Sequence, residues 1–146
     1  MKVFIAGIMQ GSRLDHLIDD QGYRQAIAEA VLAHHPHAEV VDPNELHPDG
    51  VDYDDEMARD TLIAMAELAA QADVLVAYAP TASMGTAIEM WQAYRAGAVV
   101  VTVSPLGANW VVRHLSDVVL SDLEAFRTWM TGGGLAQVLA DRQPAS

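Results

Sequence analysis

The residues best suited to chemistry lie in one stretch, Ser83-Met84-Gly85-Thr86-Ala87-Ile88-Glu89, where a loop of small residues feeds a mostly apolar helix. Glu89 stands beside Ile88, Met90 and Trp91. A carboxylate there must be solvated, paired or used, because an unpaired buried charge is costly. Thr86 to Glu89 has the spacing of a capping box, in which Glu89 reaches back to the Thr86 N–H. A helix that starts at Ser83 instead leaves Glu89 a turn further in, with no capping duty. Ser83, Gly85 and Thr86 precede a helix, so their free N–H groups and the helix dipole favour an anion. A second loop, Gln10-Gly11-Ser12, is small and polar and lets a ligand approach the backbone. Turn chemistry explains either loop taken alone. Neither is a nucleotide fingerprint, since GxxxxGK[ST] and GxGxxG are both absent.

These loops need elements to hold them. Lys2 to Ile8, Ala38 to Val41, Asp73 to Ala79 and Ala98 to Val103 are short apolar runs that read as buried strands, with Asp117 to Leu120 as an edge strand. Between them, Tyr23 to Ala33 reads as an amphipathic helix that stops before Pro36, with Ile27, Ala30, Val31 and Ala33 near one face and Arg24, Gln25 and Glu29 elsewhere. Asp42 to Glu56 reads as a long acidic loop, and Met57 to Gln71 as a second helix. Asn109 to His114 is helical in pattern, and Ser121-Asp122-Leu123-Glu124 is a capping box for a last helix, broken by Gly132 to Gly134. Fraying is expected from about residue 135. Apolar strands alternating with helices require a parallel sheet covered on both faces. The expected fold is one α/β domain over residues 1–146, a flavodoxin-like three-layer sandwich with a five-stranded, mainly parallel sheet. Ligands in such sheets collect at the carboxyl ends of the strands. The loops 8–22, 42–56 and 80–86 lie at that edge.

Composition narrows the function. With 146 residues, 51% hydrophobic and 19% charged, the chain is long and apolar enough for a full core. Eight Lys and Arg against a net charge of -12 argue against binding a nucleic-acid polymer. MKVFIAGIMQGS turns polar too soon for a signal segment or a membrane span. The absence of cysteine excludes disulfides and thiolate metal sites and fits a cytoplasmic protein. His34, His35 and His37 gather at a helix end, where positive charge suits the dipole, and no metal site or cofactor is expected.

The order KVFIAGIMQGS, ADVLVAYAP, SMGTAIEMWQAYRAG, AVVVTVSP resembles the nucleoside 2-deoxyribosyltransferase family and its relatives, the nucleoside 5'-monophosphate N-glycosidases. The layout matches over roughly the first 105 residues. The sharp match is the loop and helix around Gly85 and Glu89. The resemblance implies that Glu89 is the nucleophilic carboxylate and that Tyr23 lies beside it, donating a hydrogen bond that favours its ionised form. It places Gly7, Gln10, Gly11 and Ser12 around the sugar or its phosphate, with Ser83, Met84 and Gly85 at the helix start. It further implies a homo-oligomer in which Asn109 and Trp110 reach a neighbouring subunit's site. Two departures stand out. Family members carry an aspartate about eight residues before the Asp of the third strand, where this chain has Met65, and Asp60 is the nearest aspartate in that helix. Met90-Trp91 also replaces the usual small residues.

The expected activity is cleavage or transfer of an N-glycosyl bond in a nucleoside or nucleoside 5'-monophosphate. Asp54, Asp55, Glu56 and Asp60 are the acids that could assist the leaving base. Trp91, Tyr94, Trp110 and Trp129 read as packing or subunit contacts. Two other functions use the same residues: a nucleotide-binding module with Glu89 as a cap, and a hydrolase of the ribose–nicotinamide bond. Fold does not decide among them.

Overall fold

The structure is a computed structural model that describes residues 1–142. Five strands, β1 (Lys2–Gly7), β2 (Glu39–Val41), β3 (Val74–Tyr78), β4 (Val99–Val103) and β5 (Val118–Leu120), form a sheet in the order β2-β1-β3-β4-β5. Every pairing is parallel, so the sheet is wholly rather than mainly parallel. The three central strands are the three longest apolar runs, because a strand covered on both faces has no side free for polar residues. Strands β2 and β5, of three residues each, keep partly exposed side chains at the two edges.

The helices are α1 (Gly22–His34), α2 (Pro43–Leu46), α3 (Asp55–Ala70), α4 (Met84–Arg95), α5 (Trp110–Leu115), α6 (Leu123–Thr131) and α7 (Gly134–Arg142). Alternate residues of each strand point to opposite faces. Val3, Ile5, Val74, Val76, Val99 and Val101 therefore join Ile27 and Val31 of α1 and Phe126 and Met130 of α6 in one core. Phe4, Ala6, Leu75, Ala77 and Val100 join Ala69 of α3 and Met90 and Ala93 of α4 in the other. Alanines at those helix positions let α3 and α4 lie close to each other and to the sheet.

Three local expectations are corrected. The acidic segment from Asp42 is not an open loop. Asp42 caps α2 by accepting from the Asn44 N–H (2.9 Å), a 3-10 turn spans Gly50–Asp52, and Asp54 caps α3 by accepting from the Met57 N–H (2.8 Å). At the last helices, Asp122 rather than Ser121 is the cap, accepting from the Ala125 N–H (2.8 Å). Fraying from residue 135 does not occur over the described part of the tail. Leu135 is buried in the core, and Arg142 donates to the Gly97 and Ala98 carbonyls (2.8 Å each) and pairs with Asp117 (2.6 Å). The remainder of that expectation, on residues 143–146, lies outside the described residues.

Candidate active site

Strand order reverses between β1 and β3, and the loops that follow these strands open at the carboxyl edge of the sheet. Helix α4 begins there. Its cap is Ser83, whose Oγ accepts from the Thr86 hydroxyl (2.8 Å) and, at 3.4 Å, from the Thr86 N–H. Glu89 thus sits in the second turn and does not cap the helix. It also takes no part in any ion pair among the described residues. The capping reading falls, and the carboxylate is left available.

Glu89 is half-buried. Loss of water around its carboxyl group pushes its pKa up to about 8, against the opposing pull of the Arg24 guanidinium. Burial disfavours the charged form, and a neighbouring cation restores part of it. The expectation that Tyr23 assists by hydrogen bonding is not met. The Tyr23 hydroxyl donates instead to the Ile8 carbonyl (3.0 Å), and its buried ring stacks on Tyr78 with centroids 4.3 Å apart. Burial raises the Tyr23 pKa well above the usual range, so the phenol stays protonated. Tyr23 is part of the core rather than of the cavity lining.

Gly7 makes room for that ring. A Cβ at Gly7 would run into the Tyr23 hydroxyl and ring. Gly7→Ala is therefore expected to displace the Tyr23 ring from Tyr78 and the Ile8 carbonyl, lowering stability by about 1–3 kcal/mol. A urea midpoint unchanged from wild type would overturn this.

A cavity of about 350 Å³ opens between the β1 loop, the start of α4 and α5, and of α4 it is lined by Met84, Thr86, Ala87 and Met90. Gly11, Ser12, Ser83, Met84 and Asn109 line it, with Met90 at its floor. Gly7, Gln10, Gly85 and Glu89 are not part of this lining. Successive helix residues are rotated by about 100°, so Met90 faces the cavity while Glu89 emerges on the neighbouring flank of α4. Gly11 adopts a φ of +56°, a conformation for which glycine is suited. Gln10 is exposed and its carbonyl accepts from the Arg13 N–H (3.1 Å). Gly85 has no neighbour within 4 Å of where a Cβ would stand, so the space over the first turn is open. Asn109 caps α5, accepting from the Val111 N–H (2.9 Å).

Asp60 is exposed on α3 and does not line the cavity. Asp55 and Glu56 are likewise exposed in the first turn of that helix. Among the described residues no group of three or more His, Asp or Glu stands close enough to hold a metal ion. No described helix is long and apolar enough to cross a membrane.

A buried ion pair, unforeseen in the sequence, joins α1 to the residue that follows β2. Arg24 is only 3% exposed and pairs with Asp42, itself 8% exposed, at 3.0 Å. Its guanidinium also donates to the carbonyls of Ile5 (3.1 Å) and Gly7 (3.4 Å) and to the Gln21 side chain (2.7 Å). A signal existed: Arg24, Ile27 and Val31 are spaced by three and four, so Arg24 continues the buried stripe of α1.

No family model and no curated protein sequence matches this chain. Solved structures do. A 2-deoxyribosyltransferase from Bacillus psychrosaccharolyticus aligns with a TM-score of 0.66 at 16% identity, over 87% of this chain and 90% of that one. A conserved protein from Enterococcus faecalis V583 aligns at 0.61 and 19% identity, over 90% and 98%. The CMP N-glycosidase of Clostridium botulinum aligns at 0.53 and 14% identity, over 90% and 98%. The chain therefore has the flavodoxin-like three-layer fold seen in a 2-deoxyribosyltransferase and a CMP N-glycosidase.

Proposed function

We propose that this protein is an enzyme that cleaves or transfers the N-glycosyl bond of a nucleoside or nucleoside 5'-monophosphate, with Glu89 as nucleophile. The supporting observation is Glu89 itself: a half-buried carboxylate without capping duty or, among the described residues, an ion-pair partner, on the helix whose Thr86, Ala87 and Met90 line a cavity at the carboxyl edge of the sheet. The fold shared with two enzymes of nucleoside chemistry supports the substrate class.

In this mechanism the ionised Glu89 attacks the anomeric carbon as the bond to the base nitrogen breaks, and the base leaves with the bonding pair and takes up a proton. The resulting glycosyl ester is opened by water, giving the free sugar, or by a second base, giving transfer. Gly11, Ser12, Ser83 and Asn109 surround the sugar and its 5' substituent. Asp60 is too exposed in the free protein to be assigned the proton, and water in the open cleft serves.

Only the ionised carboxylate attacks. With a pKa near 8, base release as kcat/KM is expected to rise with pH and level off above about 8. The test is to incubate the protein with a panel of nucleosides, nucleoside 5'-monophosphates and NAD and to follow free base against pH. Binding without base release would overturn the enzymatic reading in favour of a binding module. Release that falls through pH 8 would make Glu89 an acid rather than a nucleophile.

The same reading includes self-association. Helices α3 and α4 leave Leu62, Ile63, Ile88, Trp91 and Tyr94 exposed, an apolar surface of the kind that subunits cover. Sedimentation is expected to show a dimer or larger, and Trp91→Glu is expected to weaken it. A monomer at micromolar concentration would refute this.

A further inference from the structure

The three large apolar side chains most exposed to water gather around a single opening. Leu14 is fully exposed, Met84 and Trp110 are 83% and 81% exposed, and no other large apolar side chain among the described residues exceeds 53%. Such residues scattered singly need no explanation, whereas a group of them does. Met84 lines the cavity itself. Trp110 stands between Asn109 and Val111, which both line it, and Leu14 follows Ser12, also in the lining, by two residues. Two residues of chain span at most about 7 Å, so Leu14 stays close to the rim.

The segment that carries Leu14 is closed at its base and untied above it. At the base, the Asp19 N–H donates to the Met9 carbonyl (2.6 Å), and the Gln21 side chain donates to the carbonyls of Ile8 (3.0 Å) and Asp19 (2.8 Å). Above this neck, residues 10–18 hydrogen-bond, among the described residues, only to one another and to Asp19. The Arg13 guanidinium braces them, with two bonds to Asp15 (2.9 Å each) and one to Asp19 (3.3 Å). Gly11, at a φ of +56°, gives the outgoing limb a joint with wide backbone freedom. A braced tip on a narrow neck is built to swing as a unit. We propose that residues 10–18 form a lid that swings over the cavity mouth and lays Leu14 against Met84 and Trp110. The covering groups are apolar, so the part of a ligand they meet is an uncharged ring or carbon face. The inference goes beyond the reading of Glu89 as nucleophile and does not depend on it.

The experiment is disulfide trapping in the whole protein, which has no cysteine of its own to interfere. A disulfide forms only when the two Cα atoms come within about 7 Å, so its formation reports closure. Leu14→Cys combined with Met84→Cys is expected to form a bond within one chain at least about tenfold faster than Leu17→Cys combined with Met84→Cys. Leu17 lies on the returning limb, which contributes nothing to the lining. All three positions are exposed, so the substitutions spare the core. Thiol titration gives the rates, and a non-reducing gel separates bonds within a chain from bonds between chains. Equal rates would mark a formless loop, no bond in either pair a fixed open one, and a bond between two chains a rim covered by a second copy; each result overturns the proposal. The trap needs no substrate. A protein that closes in this way and releases no base refutes the enzymatic reading and leaves the lid standing.

Discussion

Glu89→Gln is expected to reduce base release at least about a thousand-fold while making the folded protein more stable at neutral and alkaline pH. The two effects share one cause. In the folded chain burial raises the Glu89 pKa to about 8, whereas in the unfolded chain the carboxylate titrates in its ordinary range near 4.5. Between those values the folded state holds a proton that the unfolded state has released, so stability falls as pH rises through this window. Below it both states are protonated and the term vanishes. Glutamine is neutral throughout and escapes the loss. The half-buried position of Glu89 discounts the full shift to a gain on the order of 2 kcal/mol above pH 8, shrinking toward nothing near pH 4.5. Thermal melts of both proteins across that range give the check. A variant that is less stable at pH 8, or one that still releases base at the wild-type rate, would sink the assignment.

Arg24→Met is expected to lower stability by about 3–5 kcal/mol, a large fraction of what a domain of this size possesses. Methionine matches the length of the arginine stem but leaves Asp42 buried with the Asn44 N–H as its remaining partner, and it frees the carbonyls of Ile5 and Gly7. Most of the effect is the uncompensated carboxylate. Adding Asp42→Asn to Arg24→Met should therefore recover a substantial part of the loss, although each change alone weakens the protein. Urea unfolding of the two single variants and the double variant measures this directly. A loss under about 1 kcal/mol in Arg24→Met would show that water reaches the pair and that its burial has little consequence.

The sheet was legible in the sequence because a parallel strand covered on both faces leaves few interpretations: KVFIAG, VLVAY and VVVTV had nowhere else to go. The helices between them followed from periodicity and from Pro36. Helix α2 was hidden because four residues are too few to show a period, although Asp42 before Pro43 is a cap followed by the first helical position. The cap of α6 was misplaced by one residue because Ser121 and Asp122 are equally good caps, and only backbone geometry separates them. At the site, spacing could not tell whether α4 starts at Ser83 or at Thr86, and the role of Glu89 depended on that choice. Arg24 looks like part of the polar side of its helix when charge is weighed above spacing. In the fold, Asp42 supplies the compensation that lets spacing prevail.

Arg142 has a practical bearing on work with this protein. Its guanidinium is fastened to Gly97, Ala98 and Asp117, all of which precede β4 or β5 and so mark the amino edge of the sheet. The cleft opens at the carboxyl edge. Arg142 therefore stands at the pole opposite the one where ligands would enter. Tethered to a sensor surface through that pole, the protein would present its cleft to solution, and small-molecule binding could be followed without the anchor obstructing it.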